Sequence, residues 1–240
     1  MAKNKSIKNP EDIVVPAKEL PIEKHKKDWR HSQHWRVLRI MAEFIDGFQF
    51  LGDLKKSVTF FGSARYQEDH HWYKETRKLG NLLAKNGFTV VTGGGPGIME
   101  AANRGALEGG GESVGLNIKL PYEQRINKYV REGVGFHYFF TRKVMLSYAA
   151  QAYVFCPGGF GTLDEVFELL TLIQTHKIYE KIPIVFMGKS FWDGLLQWLQ
   201  KEVLEQQKNI DEEDLRLFRI VDTAEEALAI IKTSKPRQEI

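Results

Sequence analysis

Cysteine is nearly absent from this sequence. Its 240 residues contain one, Cys156, so no disulfide bond can form within a single chain, and this favours a reducing compartment. The neighbours of Cys156 are apolar, and the sequence places no histidine beside it to activate the thiol. We therefore interpret Cys156 as a buried structural residue and not as a nucleophile.

Long apolar segments are also absent. No run of apolar residues approaches the roughly 20 that a membrane-spanning helix requires, and no apolar segment follows the first residues as it does in a signal peptide. We therefore expect a cytoplasmic protein without a membrane partner. Hydrophobic residues make up 42% of the chain and charged residues 27%, which is typical of a globular protein with one large α/β domain or two small ones.

The positive charge is concentrated at the amino-terminal end. Residues 1–40 carry a net charge of +5, whereas the remainder carries −2. Residues 1–28 are rich in lysine and contain three prolines, which predicts a basic, poorly ordered arm before a single domain over residues 29–240. Such an arm could contact nucleic acid or acidic lipid. We favour a solvated tail and expect no nucleic-acid partner.

Apolar residues recur every three or four positions between Trp29 and Leu54, which predicts an amphipathic helix at the start of the domain. Its tryptophan and phenylalanine content indicates either a buried helix or a contact between subunits. His31 and His34 are three residues apart on this helix, but no third metal ligand is visible nearby, so we expect no metal site.

The segment from Ala152 to Leu170 combines a continuous apolar run, a glycine turn and the start of an amphipathic helix. This pattern is typical of a buried parallel strand that leads into a helix. The unpaired N–H groups of a helix amino terminus predict a phosphate site, to which the Thr162 hydroxyl can add a donor. Three glycines in the turn allow a ligand to approach the bare backbone: Gly158, Gly159 and Gly161.

Glu165 lies about one helical turn after Thr162, so both side chains share a face of the helix. The Thr-x-x-Glu spacing fits a capping box, in which the glutamate bonds back to the helix start. It also fits a catalytic carboxylate beside a bound phosphate. The sequence leaves both interpretations open, and the two roles can coexist.

A turn at Gly62 and Ser63 follows the predicted strand Val58–Phe61. Ligands of open α/β sheets sit at the carboxyl ends of the strands, so Ser63 and Arg65 are candidate ligand contacts. Arg65 could equally be a surface residue.

A second glycine-rich turn, Thr92–Glu100, follows the next predicted strand. Its glycine spacing does not match the dinucleotide-binding fingerprint, and no Gly-Lys-Ser/Thr follows as in a Walker loop. Gly95 and Gly97 are candidates for close backbone contact with a ligand, and a turn required for its geometry alone is the alternative. Glu100 could interact with the helix dipole or face the same ligand as Glu165.

The aromatic run Phe136–Phe140 predicts a fourth strand, followed by a helix that carries Arg142 and Lys143 in its first turn. The helix dipole disfavours cations there. Two adjacent bases therefore indicate an anionic ligand or a partner carboxylate, with exposed charges as the alternative.

Strands and helices alternate along the rest of the chain, and a capping box at Thr223 opens the last helix. This alternation predicts an α/β, Rossmann-like fold, with a doubly wound, mostly parallel sheet of about seven strands and helices on both faces.

Three segments, Gly93–Glu100, Thr141–Met145 and Pro157–Glu165, together closely resemble the motifs of the Lonely Guy family of cytokinin-activating phosphoribohydrolases. Bacterial members of that family were long labelled possible lysine decarboxylases. The resemblance covers roughly Lys56 to Leu199. It implies hydrolysis of the N-glycosidic bond of a purine nucleoside 5′-monophosphate, such as AMP or a cytokinin riboside monophosphate, to the free base and ribose 5-phosphate. It also implies a homodimer or a larger homo-oligomer.

The resemblance implies Arg142 and Glu165 as the catalytic pair. The sequence has no evident lysine arrangement for pyridoxal phosphate, so we expect no cofactor and set the decarboxylase label aside. Six further residues would hold the substrate: Gly158, Gly159, Gly161 and Thr162 at the phosphate, and Glu100 and Lys143 in the nucleotide pocket.

The chemistry of these residue types agrees with that reaction. Breaking an N-glycosidic bond builds positive charge on the ribose, which the Glu165 carboxylate can stabilise while it orients or deprotonates water. Arg142 can bind phosphate or sugar oxygens through two N–H groups but stays charged. We therefore expect water or a contact on the base to supply the proton for the leaving group.

Two other functions are open at this stage. The same turns could bind an AMP-like ligand in a regulatory protein without turnover, with the basic arm reaching a partner. A dinucleotide-dependent oxidoreductase is the other alternative, against which the glycine spacing argues. The sequence does not identify the preferred base.

Overall fold

The computed structural model describes residues 32–54, 56–119, 126–178 and 182–235. By its internal contacts the chain divides into two units, residues 1–37 and residues 38–240. The described part of the first unit, residues 32–37, contains only the beginning of the first helix. The predicted basic arm and His31 lie outside the described residues, and everything below concerns the second unit.

Seven strands and seven α-helices alternate along the described chain. The strands are β1 Ser57–Phe61, β2 Thr89–Thr92, β3 Ser113–Ile118, β4 Glu132–Phe136, β5 Ala152–Phe155, β6 Ile184–Met187 and β7 Phe218–Val221. The α-helices are α1 Gln33–Gly52, α2 His71–Lys85, α3 Ile98–Glu108, α4 Phe139–Tyr148, α5 Phe160–Gln174, α6 Lys189–Trp198 and α7 Ala224–Ile231. A π-helical segment, Leu199–Gln206, continues α6, and a short 3₁₀ turn, Asp214–Arg216, precedes β7.

The strands form one sheet in the order β4-β3-β2-β1-β5-β6-β7, and every neighbouring pair is parallel. The predicted fold class is therefore confirmed. The chain runs outward from β1 in one direction and from β5 in the other, so the strand order reverses between these two central strands. Such a reversal leaves a crevice at the carboxyl ends of the two strands.

Two apolar cores lie on opposite faces of the sheet, because consecutive strand residues point to opposite sides. Phe60 belongs to the core beneath α2, α3 and α7. Phe61 belongs to the core beneath α4, α5 and α6, which also buries the end of α1 through Leu51. The strands are thus covered on both faces, as their continuous apolar sequences predict.

The predicted position of the fourth strand is wrong. The strand is Glu132–Phe136, and the aromatic residues Phe139 and Phe140 already belong to α4. Two glycines in β4 lower its intrinsic strand preference and hide it from a pattern search. Gly133 is nevertheless required, because a Cβ there would overlap with the carbonyl of Gly115 on β3.

Helix α1 was predicted to be either a buried helix or a contact between subunits. One side of it is exposed in the single chain, so the prediction of a buried helix is wrong. Gly47 and Leu51 pack inward, but four apolar side chains on another side are 41–62% exposed: Leu38, Met41, Ile45 and Phe48. The capping box at Thr223 is confirmed at the start of α7. None of the described helices is long and apolar enough to cross a membrane.

Candidate functional site

A cavity of about 720 Å³ opens at the carboxyl ends of β1 and β5, where the strand order reverses. Open α/β sheets bind their ligands at this place, and the volume suits a small molecule. The wall includes the turn after β1, the start of α4 and the first turns of α5. The cavity brings together eight predicted site residues, with Arg65 beside them: Ser63, Arg142, Lys143, Gly158, Gly159, Gly161, Thr162 and Glu165.

The amino terminus of α5 contributes unpaired backbone donors to this cavity. Gly159 is the N-cap residue and has an extended backbone, and no side chain caps the helix. A Cβ on Gly159 or Gly161 would meet no atom within 4 Å, whereas a Cβ on Gly158 would overlap with the hydroxyl of Thr162. The free N–H groups and the dipole of α5 therefore meet a space in which an anion can approach the backbone.

The capping-box interpretation of Glu165 is wrong. In a capping box the threonine is the N-cap residue, but α5 begins at Phe160 and Thr162 is already its third residue. The Glu165 side chain is consequently not used to satisfy the helix start. It lies one turn further along, in the wall of the cavity.

Ser63 connects three loops at the edge of the cavity. Its backbone N–H donates to the carbonyl of Pro157 at 3.0 Å, and its carbonyl accepts from the N–H of Ile98 at 3.0 Å. Its hydroxyl accepts from the N–H of Arg65 at 3.2 Å. Ser63 thus fixes the turn after β1 against both glycine turns.

A buried polar network holds the second glycine turn, and sequence reasoning missed it. The Thr92 hydroxyl accepts from the N–H of Gly94 at 2.9 Å and donates to Asn103 Oδ1 at 2.6 Å. Asn127 donates to the same Asn103 oxygen and to the carbonyl of Gly95, both at 3.0 Å. Asn103 lies on α3 and Asn127 lies between β3 and β4, so only the fold reveals that these two residues determine the shape of the turn.

Three predicted contacts of the second turn, Gly95, Gly97 and Glu100, do not line the cavity. Gly97 has a φ of +70°, and a Cβ there would overlap with the backbone of Ser63. Geometry alone thus requires a glycine at this position. Glu100 accepts a hydrogen bond from the Tyr73 hydroxyl at 3.1 Å. Contact of these residues with a nucleotide stays a prediction.

Arg142 is held at the cavity wall by β3 and by the turn that follows β2. Its Nε donates to the carbonyl of Leu116 at 2.8 Å, and its guanidinium lies where a Cβ on Gly93 would be. Burial lowers the pKa of Arg142, and the nearby Glu165 carboxylate opposes that change. Arginine keeps its charge in proteins, so a rigid cation faces the cavity.

Lys143 has carboxylate partners, as one interpretation of the sequence predicts. Its Nζ lies 2.6 Å from Asp164 and 3.1 Å from Glu168, both on α5. Burial lowers the pKa of Lys143, but the two carboxylates outweigh burial and raise it overall. Lys143 therefore links α4 to α5 beside the cavity.

Glu165 is a nearly buried carboxyl group with an unusual protonation. It is 8% exposed, and its Oε2 has no hydrogen-bond donor among the described residues. Burial is the main cause that raises the pKa of Glu165 to about 8, assisted by the charge and hydrogen bond of Glu168. Lys143 and Arg142 lower it. The group can therefore hold a proton near neutral pH and release it when the surrounding charge changes.

Glu43 on α1 is a second feature that sequence reasoning missed. Its carboxylate accepts from the backbone N–H groups of His137 at 2.6 Å and Tyr138 at 3.2 Å, and from the Thr141 hydroxyl at 2.6 Å. These donors lie at the amino terminus of α4, which is one place where a helix stabilises a negative charge. A glutamate distant in sequence therefore fixes the helix that carries Arg142.

The remaining predictions concern cysteine and metals. Cys156 is fully buried, as predicted, and burial raises the pKa of its thiol to about 12. No group of three histidine, cysteine, aspartate or glutamate residues is placed to hold a metal ion within the described ranges.

A family model and named relatives of this chain point to the same protein family. Residues 99–231, more than half of the chain, match the family model described as possible lysine decarboxylase. A rice protein named probable cytokinin riboside 5′-monophosphate phosphoribohydrolase LOGL5 is 33% identical over 131 residues, which are 53% of this chain and 52% of that protein. The rice cytokinin riboside 5′-monophosphate phosphoribohydrolase LOG is 28% identical over 168 residues, covering 68% of this chain and 67% of LOG.

A solved structure agrees with the fold. The crystal structure of the structural-genomics target TM1055 superposes with a TM-score of 0.56 and 29% identity, over 74% of this chain and 98% of that one. The chain spans about half to two thirds of the two rice relatives.

Proposed function

This chain belongs to the Lonely Guy family, and from that premise and the geometry of the cavity we propose that it hydrolyses the N-glycosidic bond of a purine nucleoside 5′-monophosphate. The products are the free base and ribose 5-phosphate, and AMP and cytokinin riboside monophosphates are the candidate substrates. One observation carries the proposal. A buried carboxyl group, Glu165, shares a cavity with the uncapped amino terminus of α5.

The amino terminus of α5 is the proposed phosphate site. The N–H groups of Phe160, Gly161 and Thr162 precede the first intrahelical bond, which runs from Leu163 to Gly159. A phosphate there interacts with the helix dipole as well as with these donors. It fixes one end of the substrate, so the ribose lies about one helical turn away, near Glu165.

Glu165 and Arg142 act on the ribose in this proposal. As the bond from C1′ to the base breaks, positive charge develops on the sugar, and the Glu165 carboxylate stabilises it. Arg142, which is anchored on β3 and beside the turn after β2, contacts phosphate or sugar oxygens and so positions the substrate. The same carboxylate then orients the attacking water.

The proposal predicts release of free base from a panel of nucleoside 5′-monophosphates, measured by chromatography. Glu165→Gln removes the carboxylate but keeps the size of the side chain, so kcat should fall by about 10³-fold or more. The folded state should be retained, because an amide replaces a carboxyl group that already carries a proton near neutral pH.

A matched control is Glu225→Gln, which removes an exposed salt bridge to Lys78 far from the cavity. Exposed pairs contribute little to stability, so this variant should retain wild-type activity. If the wild-type protein releases no base from any purine or pyrimidine monophosphate, the proposed enzyme is wrong. Tight nucleotide binding by calorimetry, without product, would then favour the regulatory alternative.

We also propose that the protein works in the cytoplasm as a homodimer. The support for the homodimer is the apolar surface of α1, which a single chain leaves exposed. We define this surface as Leu38, Met41, Ile45 and Phe48. An apolar surface of this kind is typical of a contact between proteins.

A further inference from the structure

Helix α5 carries a second carboxyl group, the partly buried Glu168, one turn beyond Glu165. Glu165 and Glu168 are three residues apart and therefore share one face of the helix. Oε2 of each is buried without a hydrogen-bond donor among the described residues. Glu168 Oε2 forms an ion pair with Lys143 Nζ at 3.1 Å. Two ionised carboxylates cannot satisfy each other, because both are acceptors only. A single proton between them provides the missing donor.

A count of the surrounding charges also indicates one bound proton. Arg142 and Lys143 on α4 supply two positive charges, and α5 supplies three carboxyl groups, Asp164, Glu165 and Glu168. Lys143 is shared between Asp164 and Glu168. With all three carboxyl groups ionised, the cluster carries one unbalanced negative charge in a partly buried place. One bound proton makes it neutral, which the low dielectric of the site favours.

We propose that Glu168 is a positioning residue that shares one proton with Glu165, so that the pair supplies a proton to the leaving base and recovers one from water. The inference rests on the proposed hydrolysis and identifies the source of its proton. Glu168 acts through Glu165 and does not touch the ribose. It replaces the sequence-based expectation that water or a contact on the base supplies this proton.

The proton count of the cycle is balanced. The bond from C1′ to the base breaks, its electron pair moves to the base, and the proton of the pair transfers to a base nitrogen. Both carboxyl groups are then ionised, when positive charge on the ribose is greatest. Water forms the new bond to C1′ and returns its proton to the pair. Arg142 stays charged throughout and stabilises the ionised pair.

The direction in which Glu168 shifts the pKa of Glu165 agrees with the proposed role of Glu168. After burial and the opposing charge of Lys143, the charge of Glu168 and its hydrogen bond are the next causes that act on the pKa of Glu165, and both raise it. Removing Glu168 therefore makes Glu165 more acidic. Arg65 also lines the cavity, but it is exposed to solvent and is not among the charges that act on the pKa of Glu165.

The test is the pH dependence of kcat and kcat/KM for AMP, or for whichever monophosphate is hydrolysed, in the wild type and in Glu168→Gln. Because the pair must hold a proton, wild-type kcat should fall at alkaline pH. Glu168→Gln removes one negative charge and offers an amide donor to ionised Glu165, and both changes lower the pKa of Glu165. The alkaline limb should move down by about one pH unit or more, and kcat at pH 8 should fall about 10- to 100-fold. KM should change little.

An unmoved alkaline limb, or a loss confined to KM, would overturn the proposal, because a structural defect lowers activity without moving the limb. Glu168→Asp keeps the acid and should retain the wild-type limb even where kcat is reduced.

A second measurement needs no turnover. Carbon NMR of labelled glutamate carboxyl groups should show a strongly raised titration that Glu165→Gln removes and Glu168→Gln lowers. If the protein hydrolyses nothing but this titration is present, the proposed function fails and the shared proton stands. If it hydrolyses AMP without the titration, the shared proton fails alone.

Discussion

Residue 93 has no side chain, and the guanidinium of Arg142 occupies the space where one would be. The φ of Gly93 is not in the left-handed region, so alanine is disfavoured there for steric reasons alone. We expect Gly93→Ala to displace Arg142 and to lower kcat/KM for base release by about 10- to 100-fold, because small displacements of a positioning group are costly in rate. Steady-state kinetics measures the change, and circular dichroism checks that the variant folds.

Gly194→Ala is the matched control for that change. Gly194 is exposed in α6, and an added Cβ there would meet no atom within 4 Å. Alanine also has the higher helix propensity, so this variant should keep wild-type kinetics and stability. Wild-type kcat/KM in Gly93→Ala would contradict the role of residue 93 in fixing Arg142.

One part of the cavity wall could be predicted because its residues lie close together in sequence. The turn from Gly158 to Thr162 and the following Glu165 form one motif, and the chemistry of each residue type is evident. Asn103 and Asn127 could not be found in this way, since they meet only in the fold. The sequence also could not decide whether Glu165 caps the helix or faces the ligand, because that choice depends on the residue at which α5 begins.

At the scale of elements, α4 depends on a carboxylate from α1. Glu43 accepts three hydrogen bonds at the amino terminus of α4. Glu43→Gln keeps one acceptor oxygen, removes the negative charge at the helix dipole, and places an NH₂ group against donors. We expect a loss of about 1–2 kcal/mol in the free energy of unfolding, and a lower kcat/KM because Arg142 is on α4. Urea denaturation and base-release kinetics measure both effects.

Asp46→Asn is the control for Glu43→Gln. Asp46 is an exposed acid on the same helix, so its neutralisation should leave stability and kinetics within error of the wild type. Equal stability of Glu43→Gln and the wild type would show that α4 does not depend on this cap.

Elements with a strong pattern could be predicted, and those with a weak one could not. The buried strand β5 and the helix α5 appear at once from their apolar periodicity. The strand β4 does not, because Gly133 and Gly135 give it no side-chain pattern and its identity depends on pairing with β3. The neighbouring aromatic residues that suggested a strand start α4 and are exposed in one chain, Phe139 and Phe140.

At the scale of the whole molecule, the alternation of strands and helices was enough to predict a parallel, doubly wound sheet. It was not enough to predict which strands are central, since strand order depends on the direction of each crossover. The order places the turns after β1 and β5 side by side. That adjacency, and not any one motif, brings Ser63 to Pro157 and forms the cavity.

The surface of α1 gives the last prediction, at the scale of the assembly. Ile45, the most exposed of its four apolar residues at 62%, should be covered by a second copy of the chain. Ile45→Asp places a charge in that contact, which should weaken dimerisation on the order of 100-fold or more. Analytical ultracentrifugation should then show a dimer for the wild type and a monomer for the variant. Arg39→Asp, on another exposed side of the same helix, should leave the dimer intact. A monomeric wild type, or a dimer that tolerates aspartate at residue 45, would show that subunits do not meet at this surface.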